Sequence, residues 1–353
     1  MIRKKKKSLL MILAVAAVSC AGGDPSERSA RSSSPPALTS VAPSLPPVAS
    51  PPAPVPAISE SDARATVVAF WAAKETAFET KNAAPLKDLE SGIILGSDAN
   101  RISRVAKYGQ SPTLFYYPKS VENIRVYPTG QTPPGADRYF LSSQRISVLS
   151  DQRTMYVVFR QSRGEGPWRA VHTSLLWAEN VNGDPLPASG TSLVTVPGAD
   201  AACGALGDLL NAKDDVPAGY WGASGPAAAK ARMWRTRNNR AGDTRVHVVA
   251  EKSPDDPGPV WVLPSGTRFA PCAMAETWTF TPPEHTCLHW DGTWGDEQFY
   301  GRDVWAGGGQ SFEAGNYGLS IPRDGKPVDV LSLQWFGLDL RSDDCPSSYR
   351  KES

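Results

Sequence analysis

The chain has 353 residues, 41% of them hydrophobic and 21% charged, so it is long enough to bury a sizeable core. Its formal net charge is +1, of which Arg3–Lys7 supply five positive charges, which leaves −4 for residues 20–353. A protein that binds nucleic acid needs a concentrated basic surface, and residues 20–353 contain no Lys/Arg-rich block comparable to residues 3–7. This composition excludes a nucleic-acid-binding class.

The first twenty residues are typical of a bacterial export signal. A charged head is followed by a short, mostly apolar run, Ser8–Val18, and then by small residues before Cys20. A membrane-spanning helix would need roughly 20 apolar residues, so we expect cleavage instead of a span. The sequence Ala17-Val18-Ser19-Cys20 resembles the lipobox of bacterial lipoproteins. This resemblance implies a signal peptide of residues 1–19, palmitate and diacylglycerol on Cys20, and a membrane anchor on the extracellular, cell-wall side.

Residues 20–57 are predicted to be the lipidated cysteine and a disordered Pro/Ser-rich tether. Ten prolines in this segment alternate mainly with Ser, Ala and Val, and such a segment buries too little apolar surface to offset its ordering entropy. Proline favours the extended polyproline II conformation, so the tether can hold the folded region up to roughly 100 Å from the membrane. A docking motif for a proline-binding partner is the alternative interpretation.

Helices are predicted to open the folded region. Ser59 or Ser61 can cap the first helix, whose first turn is acidic. Pro85 starts a second short helix, and Ser97 with Asp98 can cap a third. The first helix carries an apolar stripe, interrupted by Lys74, at helical spacing: Val67, Phe70, Trp71 and Phe78.

Alternating apolar and polar runs then predict antiparallel strands. The last two runs of this group are joined by Gly164-Glu165-Gly166, which is typical of a β-hairpin. Helices followed by such strands indicate a first α+β domain at residues 58–180. The predicted strands are residues 114–117, 121–127, 138–149, 154–161 and 168–177.

Residues 181–198 are rich in Gly, Pro, Asn and Ser and are predicted to connect two domains. Residues 199–353 repeat the order of helices and then strands, so we expect a second α+β domain. Gly307–Gly309 are predicted to lie in a flexible polar loop. The predicted helices of this half are residues 199–212 and 226–235, and its predicted strands are residues 245–250, 259–263, 274–280 and 328–338.

This order of elements resembles the cystatin-like, nuclear-transport-factor-2-like fold, in which an N-terminal helix lies across a curved antiparallel sheet and often leaves a pocket. Residues 59–341 also resemble the domain of unknown function found in actinobacterial lipoproteins, behind a lipobox and a Pro/Ser-rich tether. That family implies an α+β fold and no assigned activity. The motifs that carry the second resemblance are Ala69–Trp71, Tyr156–Gln161, Gly166–Trp168 and Val328–Leu331.

Four cysteines remain after Cys20, all in the second half of the chain. An exported chain with an even number of cysteines is expected to form disulfides, here two. Three pairings are possible, and we favour Cys203–Cys345 with Cys272–Cys287, because this choice joins the start and end of the second domain and closes one short loop.

Zinc binding is the alternative for some of the same residues. Thiolate and imidazole are the donors that Zn²⁺ prefers, and two histidines flank a cysteine near a second cysteine. The oxidising compartment favours a disulfide over this site, so we predict no metal and no cofactor. The residues in question are Glu284, His285, Cys287 and His289, with Cys272 upstream.

Catalytic motifs are missing from the sequence: no G-x-S-x-G elbow, phosphate-binding loop or dinucleotide fingerprint occurs in its proper context. Aromatic and acidic residues instead concentrate between residues 290 and 300, a mixture suited to stacking and hydrogen bonding. We therefore expect a non-enzymatic binding or scaffolding protein for a cell-wall fragment or an envelope protein. A hydrolase or isomerase that uses a cystatin-like pocket and a purely structural envelope component are the alternatives. This predicted aromatic platform consists of Trp290, Trp294, Phe299, Tyr300, Asp291, Asp296 and Glu297.

Overall fold

A computed structural model describes most of the chain after residue 54, and the described residues belong to one compact unit, Ala53–Ser353. Among the helices of this described part, none is long and apolar enough to cross a membrane. The signal, Cys20 and nearly all of the tether lie outside the described residues. The described residues are 55–108, 121–148, 151–176, 194–196, 200–211, 221, 245–254, 258–262, 266–290, 304–323 and 327–349.

Helices come first in the first half, as predicted, whereas in the second half a short strand precedes the helix. The first half contains α1 (Glu60–Glu79), a 3₁₀ helix (Ala84–Asp88), α2 (Gly92–Tyr108), β1 (Val121–Pro128), β2 (Arg138–Val148), β3 (Asp151–Gln161) and β4 (Arg169–Leu176). The second half contains β5 (Val194–Val196), α3 (Asp200–Asn211), β6 (Arg245–Lys252), β7 (Val260–Val262), β8 (Arg268–Thr281), β9 (Leu288–Trp290), β10 (Val304–Ile321) and β11 (Asp329–Asp344).

The strands form one antiparallel sheet, which confirms the predicted α+β class. Its order is β1-β2-β3-β4-β11-β10-β8-β7-β5, with β6 also paired to β8 and β9 to β10. The two halves of the chain meet where β4 pairs with β11, at Leu175 opposite Leu333 and Leu176 opposite Ser332. The predicted division into two domains and the cystatin-like topology stay predictions.

One face of the sheet carries the helices, and we call it the helix face. Five residues that pair across successive strands lie on this face, one each in β3, β4, β11, β10 and β8. The first of these partners packs in a core with α1, and the last two pack in a core with α3. The five partners are Met155, Leu175, Leu333, Tyr317 and Cys272.

The opposite face curves onto itself, and we call it the inner face. Trp261 of β7 donates its indole N–H to the carbonyl oxygen of Tyr127 in β1 at 3.2 Å. The rings of Tyr156 in β3 and Phe269 in β8 lie 5.5 Å apart. Since β1 and β7 lie near opposite ends of the strand order, these contacts require a strongly curved sheet.

Local sequence signals explain several boundaries. The Ser59 hydroxyl accepts the backbone N–H of Asp62 and caps α1, as predicted. Gly164 and Gly166 adopt positive φ angles between β3 and β4, which confirms the hairpin and its need for glycine.

Three predicted features are wrong. Ser97 and Asp98 do not cap a helix, because α2 already begins at Gly92 and both residues are buried in its interior. Residues 194–196, predicted to lie in a connection, form β5 against β7. Gly307–Gly309 belong to β10 and not to a loop. These glycines serve close packing: a Cβ atom at Gly307 would lie 2.6 Å from the carbonyl oxygen of Asp344.

Candidate functional site

Two disulfides form, as predicted, but the predicted pairing is wrong. The bridges are Cys203–Cys272 and Cys287–Cys345, with Cα separations of 5.6 and 5.9 Å. Cys203 lies on the face of α3 that packs against β8, where Cys272 is the buried residue beneath it. Leu288 and Asp344 both pair with the same residue of β10, so the cysteines next to them lie at one end of that strand. The pairing thus follows from β10, a strand that the sequence did not predict.

The predicted aromatic platform lies mostly outside the described residues. Trp290 belongs to β9, and its backbone pairs with Val304 of β10. The side chain of Trp290 is not among the described parts of the structure. The other platform residues, 291–300, belong to segment 291–303, which connects β9 to β10. The residues that flank this segment pair with each other in β9 and β10, and the bridge Cys287–Cys345 joins the residue before β9 to the residue after β11.

Three of the alternative zinc donors make other interactions. Cys272 and Cys287 are both in disulfides, so neither is a thiolate ligand. The Nδ1 atom of His285 lies 2.9 Å from the hydroxyl of Tyr349, within hydrogen-bond distance. Within the described ranges, no group of three or more His, Cys, Asp or Glu side chains is placed to hold a metal ion.

A buried ionic cluster lies between α1 and α2, and we call it the Lys74 cluster: Lys74, Glu90, Asp98 and Arg101. The ammonium of Lys74 contacts a carboxylate oxygen of Asp98 and lies 3.1 Å from Glu90 Oε1. Arg101 donates to the second oxygen of Asp98 at 3.1 Å. Both acidic side chains are fully buried, and Lys74 keeps 8% of its side-chain surface exposed. Charged groups this deep are stable only when paired.

Burial and pairing act differently on the two acids of the Lys74 cluster. Burial raises the pKa of Glu90 to about 8, because the attraction of Lys74 only partly offsets the loss of water. The pKa of Asp98 is lowered, since Lys74 and Arg101 together outweigh the burial that acts in the opposite direction. The pKa of Lys74 is raised, because its two acidic neighbours outweigh the cost of burial. Glu90 is therefore the member that can bind or release a proton near neutral pH.

Aromatic rings line one side of the Lys74 cluster. The ammonium of Lys74 lies 5.4 Å from the ring centre of Phe70 and 5.5 Å from that of Trp71, within the range of a cation–π interaction. The backbone N–H of Ala170 in β4 bonds to the carbonyl of Leu89, which fixes Glu90 against the sheet. The cluster thus connects both helices to β4.

The sequence signalled only one member of the Lys74 cluster. Lys74 interrupts an apolar stripe, and a lysine at such a position is a sign of a buried charge. Asp98 was wrongly assigned to a helix cap, and Glu90 lies between two elements, where no periodicity applies. A search for acids able to reach Lys74 would have needed the packing of α1 on α2.

A second buried carboxylate, Glu276, lies on the helix face of β8. It is 1% exposed, accepts the hydroxyl of Tyr317 at 2.7 Å and accepts the indole N–H of Trp278 at 3.4 Å. Gly315 makes room for this arrangement, because a Cβ atom there would lie 2.7 Å from Glu276 Oε1. Glu276 was not singled out from the sequence.

His172 is fully buried in β4. Burial lowers its pKa to about 3, so the imidazole is neutral at physiological pH. Its Nε2 atom lies 3.1 Å from the hydroxyl oxygen of Ser174. A neutral imidazole can donate one hydrogen bond and accept another.

No protein-family model matches the chain, and neither the curated proteins nor the solved structures include a significant match. Its function is therefore inferred from its own residues.

Proposed function

We propose that this chain is a lipid-anchored protein of the cell surface that binds an envelope ligand without catalysing a reaction. The ligand would be a cell-wall fragment or another envelope protein, and the aromatic platform would contact it. Tryptophan and tyrosine rings stack on sugars and apolar groups, while the neighbouring carboxylates accept hydrogen bonds. The acidic members are Asp291, Asp296 and Glu297, and the aromatic members are Trp290, Trp294, Phe299 and Tyr300.

The observation that carries this proposal is the way in which the flanks of segment 291–303 are joined. Trp290 pairs with Val304, Leu288 pairs with Ala306, and the Cys287–Cys345 bridge comes next along the chain. Fixing the two ends of a binding segment reduces the entropy that it loses when a ligand binds. Flanks joined in this way suit a segment that recognises a ligand.

The extracytoplasmic location is supported by the two disulfides, because such bridges persist outside the reducing cytosol. The anchor itself depends on the lipobox-like sequence that ends at Cys20. We expect Cys20→Ser to release the protein from the membrane fraction. Sedimentation of the variant with membranes, to the same extent as the unchanged chain, would contradict the anchor.

Two α+β domains, 58–180 and 199–353, are also part of this proposal, each with a cystatin-like arrangement and together a member of the actinobacterial lipoprotein family. The packing of α1 on β1, and of α3 on β6 and β8, supports it, because each half then places a helix on an antiparallel sheet.

The binding proposal is tested by Trp294→Ala in a co-sedimentation assay with purified cell-wall sacculi. Loss of one stacked ring typically costs about 0.5–2 kcal/mol, so affinity should fall by a few-fold to some thirty-fold while the fold stays intact. Trp261→Ala is the contrast, because Trp261 is fully buried and its loss should unfold the protein. Unfolding by Trp294→Ala would identify a core residue and contradict the platform.

An enzyme, a hydrolase or isomerase, is the second candidate. The observation that favours it is the raised pKa of Glu90 beside Lys74, since acids that titrate near neutral pH concentrate at catalytic sites. Turnover of an envelope substrate by the purified chain, abolished by Glu90→Gln, would favour this candidate. Binding of sacculi without turnover favours the first.

A further inference from the structure

A row of buried, uncharged polar side chains crosses three strands on the inner face. His172 Nε2 lies 3.1 Å from the Ser174 hydroxyl, and that hydroxyl lies 2.8 Å from the hydroxyl of Ser332 in β11. Gln334 follows two residues later on the same face, and its cross-strand partner in β10 is Asn316. We call these five residues the inner-face polar row.

Several polar atoms of this row have no hydrogen-bond partner within the described part of the chain. Among the residues that the structure describes, neither amide atom of Asn316 has a hydrogen-bond partner, and the same holds for the buried atoms Gln334 Oε1 and His172 Nδ1. Amides of Asn and Gln carry complementary donors and acceptors and lie on adjacent strands here, yet these two do not pair. In folded proteins the great majority of buried polar atoms are hydrogen-bonded to protein or to ordered water.

Close packing surrounds the β11 end of the row. Gly318 lies opposite Ser332, and a Cβ atom there would overlap the Ser332 hydroxyl and lie 2.6 Å from the ring of Phe269. A glycine at this position therefore lets the hydroxyl and the ring lie directly over the β10 backbone. Asn316 is fully buried, whereas Gln334 keeps 6% of its surface exposed, which makes Gln334 the end of the row nearest to solvent.

We propose that the inner-face polar row is an internal binding site for small uncharged molecules that both donate and accept hydrogen bonds. The unpartnered atoms of Asn316 offer one donor group and one acceptor, and Gln334 Oε1 offers a second acceptor. His172 Nδ1 is a donor or an acceptor according to the tautomer of the ring. Water has this chemistry, and so does the hydroxyl or amide group of a larger ligand. Burial keeps His172 neutral, so all five members are uncharged and the site has no preference for an anion.

High-resolution crystals of the full chain, grown without polyols, test this site directly. We expect density within hydrogen-bond distance of the Asn316 amide and Gln334 Oε1. Isolated peaks without added mass in native mass spectrometry identify water, whereas continuous density with added mass identifies a larger neutral ligand, and both results support the site. Direct pairing of the Asn316 and Gln334 amides, with no density between them, would overturn it.

Asn316→Leu provides a second measurement, because leucine has a similar shape and removes the amide. If a bound molecule satisfies the amide, its loss should shift the unfolding equilibrium roughly tenfold toward the unfolded chain. If the amide is unsatisfied, leucine should stabilise the protein, and that result would overturn the proposal. Gln310→Leu is the matched control, because Gln310 lies on the same strand with an exposed side chain, and we expect little change. Should Asn316→Leu fail to fold, the crystal density of the unchanged chain decides.

Discussion

The two halves of the sheet are stabilised by different chemistry. The first half, with α1, α2 and β1–β4, contains no cysteine and buries the Lys74 cluster between its helices. The second half, with α3 and β5–β11, contains both disulfides. Buried ion pairs gain stability only while every partner is present, because each charge has lost its water. Disulfides act largely by restricting the unfolded chain. The first half should therefore respond to pH and the second to reduction.

Asp98→Ala should have the largest effect of the changes proposed for this comparison. It leaves Lys74 and Arg101 without their shared carboxylate, and breaking a buried pair in this way costs about 3–5 kcal/mol. The free energy of unfolding measured in urea should fall by that amount.

The control for Asp98→Ala is Glu60→Ala, which removes the ion pair that Glu60 forms with Arg64 on the surface of α1. Both side chains of that pair are well exposed, at 45% and 38%, and exposed pairs typically contribute less than about 1 kcal/mol. Equal losses in the two variants would mean that the Lys74 cluster does not stabilise the first half.

Removal of Cys203–Cys272 by serine substitution at both positions should have the next largest effect. A bridge of this kind contributes about 2–4 kcal/mol, and this one links α3 to β8 within the second half. Because this bridge lies entirely within the second half, we expect amides of β8 and β10 to lose exchange protection before those of β2 and β3.

Removal of Cys287–Cys345 is the matched comparison, because the two bridges close chain segments of similar length, 69 and 58 residues apart. Both double variants should destabilise the second half, and only the loss of Cys287–Cys345 should also weaken binding of sacculi. Simultaneous loss of protection in both halves would show one cooperative unit and would contradict the two predicted domains.

Most of the confirmed structural predictions came from local sequence patterns. The cap at Ser59, the β3–β4 hairpin and the strands β1–β4 all depend on residues close together in the chain, and each was found. The disulfide pairing failed because it depends on β10, whose glycines were interpreted as a loop. A side chain at Gly307 would collide with the neighbouring strand, and strand propensity does not contain that information.

The partners of the buried polar groups could not be predicted from local sequence patterns either. Lys74 was visible as an exception in an apolar stripe, but Glu90 and Asp98 become its partners only when α1 packs against α2. Asn316 and Gln334 lie in separate strands and meet only through the register of β10 with β11. Long-range packing and strand register determine these sites, and local periodicity predicts neither of them.

Glu90→Gln should have the smallest effect at mildly acidic pH and the clearest effect on pH dependence. The unfolded chain ionises Glu90 above its usual pKa of 4.5, whereas the folded chain keeps it protonated up to a pKa of about 8. Folding stability should therefore fall as the pH rises from 4.5 to 8, since only the unfolded chain releases the proton over this range. Glutamine has the shape of the protonated acid and cannot ionise, so the variant should exceed the unchanged chain only slightly at pH 5 and much more at pH 8. Urea unfolding at both pH values measures the difference.

His172 changes the pH dependence of stability in the opposite direction, mainly below pH 6.5. The comparison therefore starts at pH 5 and uses the difference between the two chains, in which the His172 contribution cancels. An identical pH dependence in the two chains would show that Glu90 is already ionised in the folded protein and that the Lys74 cluster is a fully charged network.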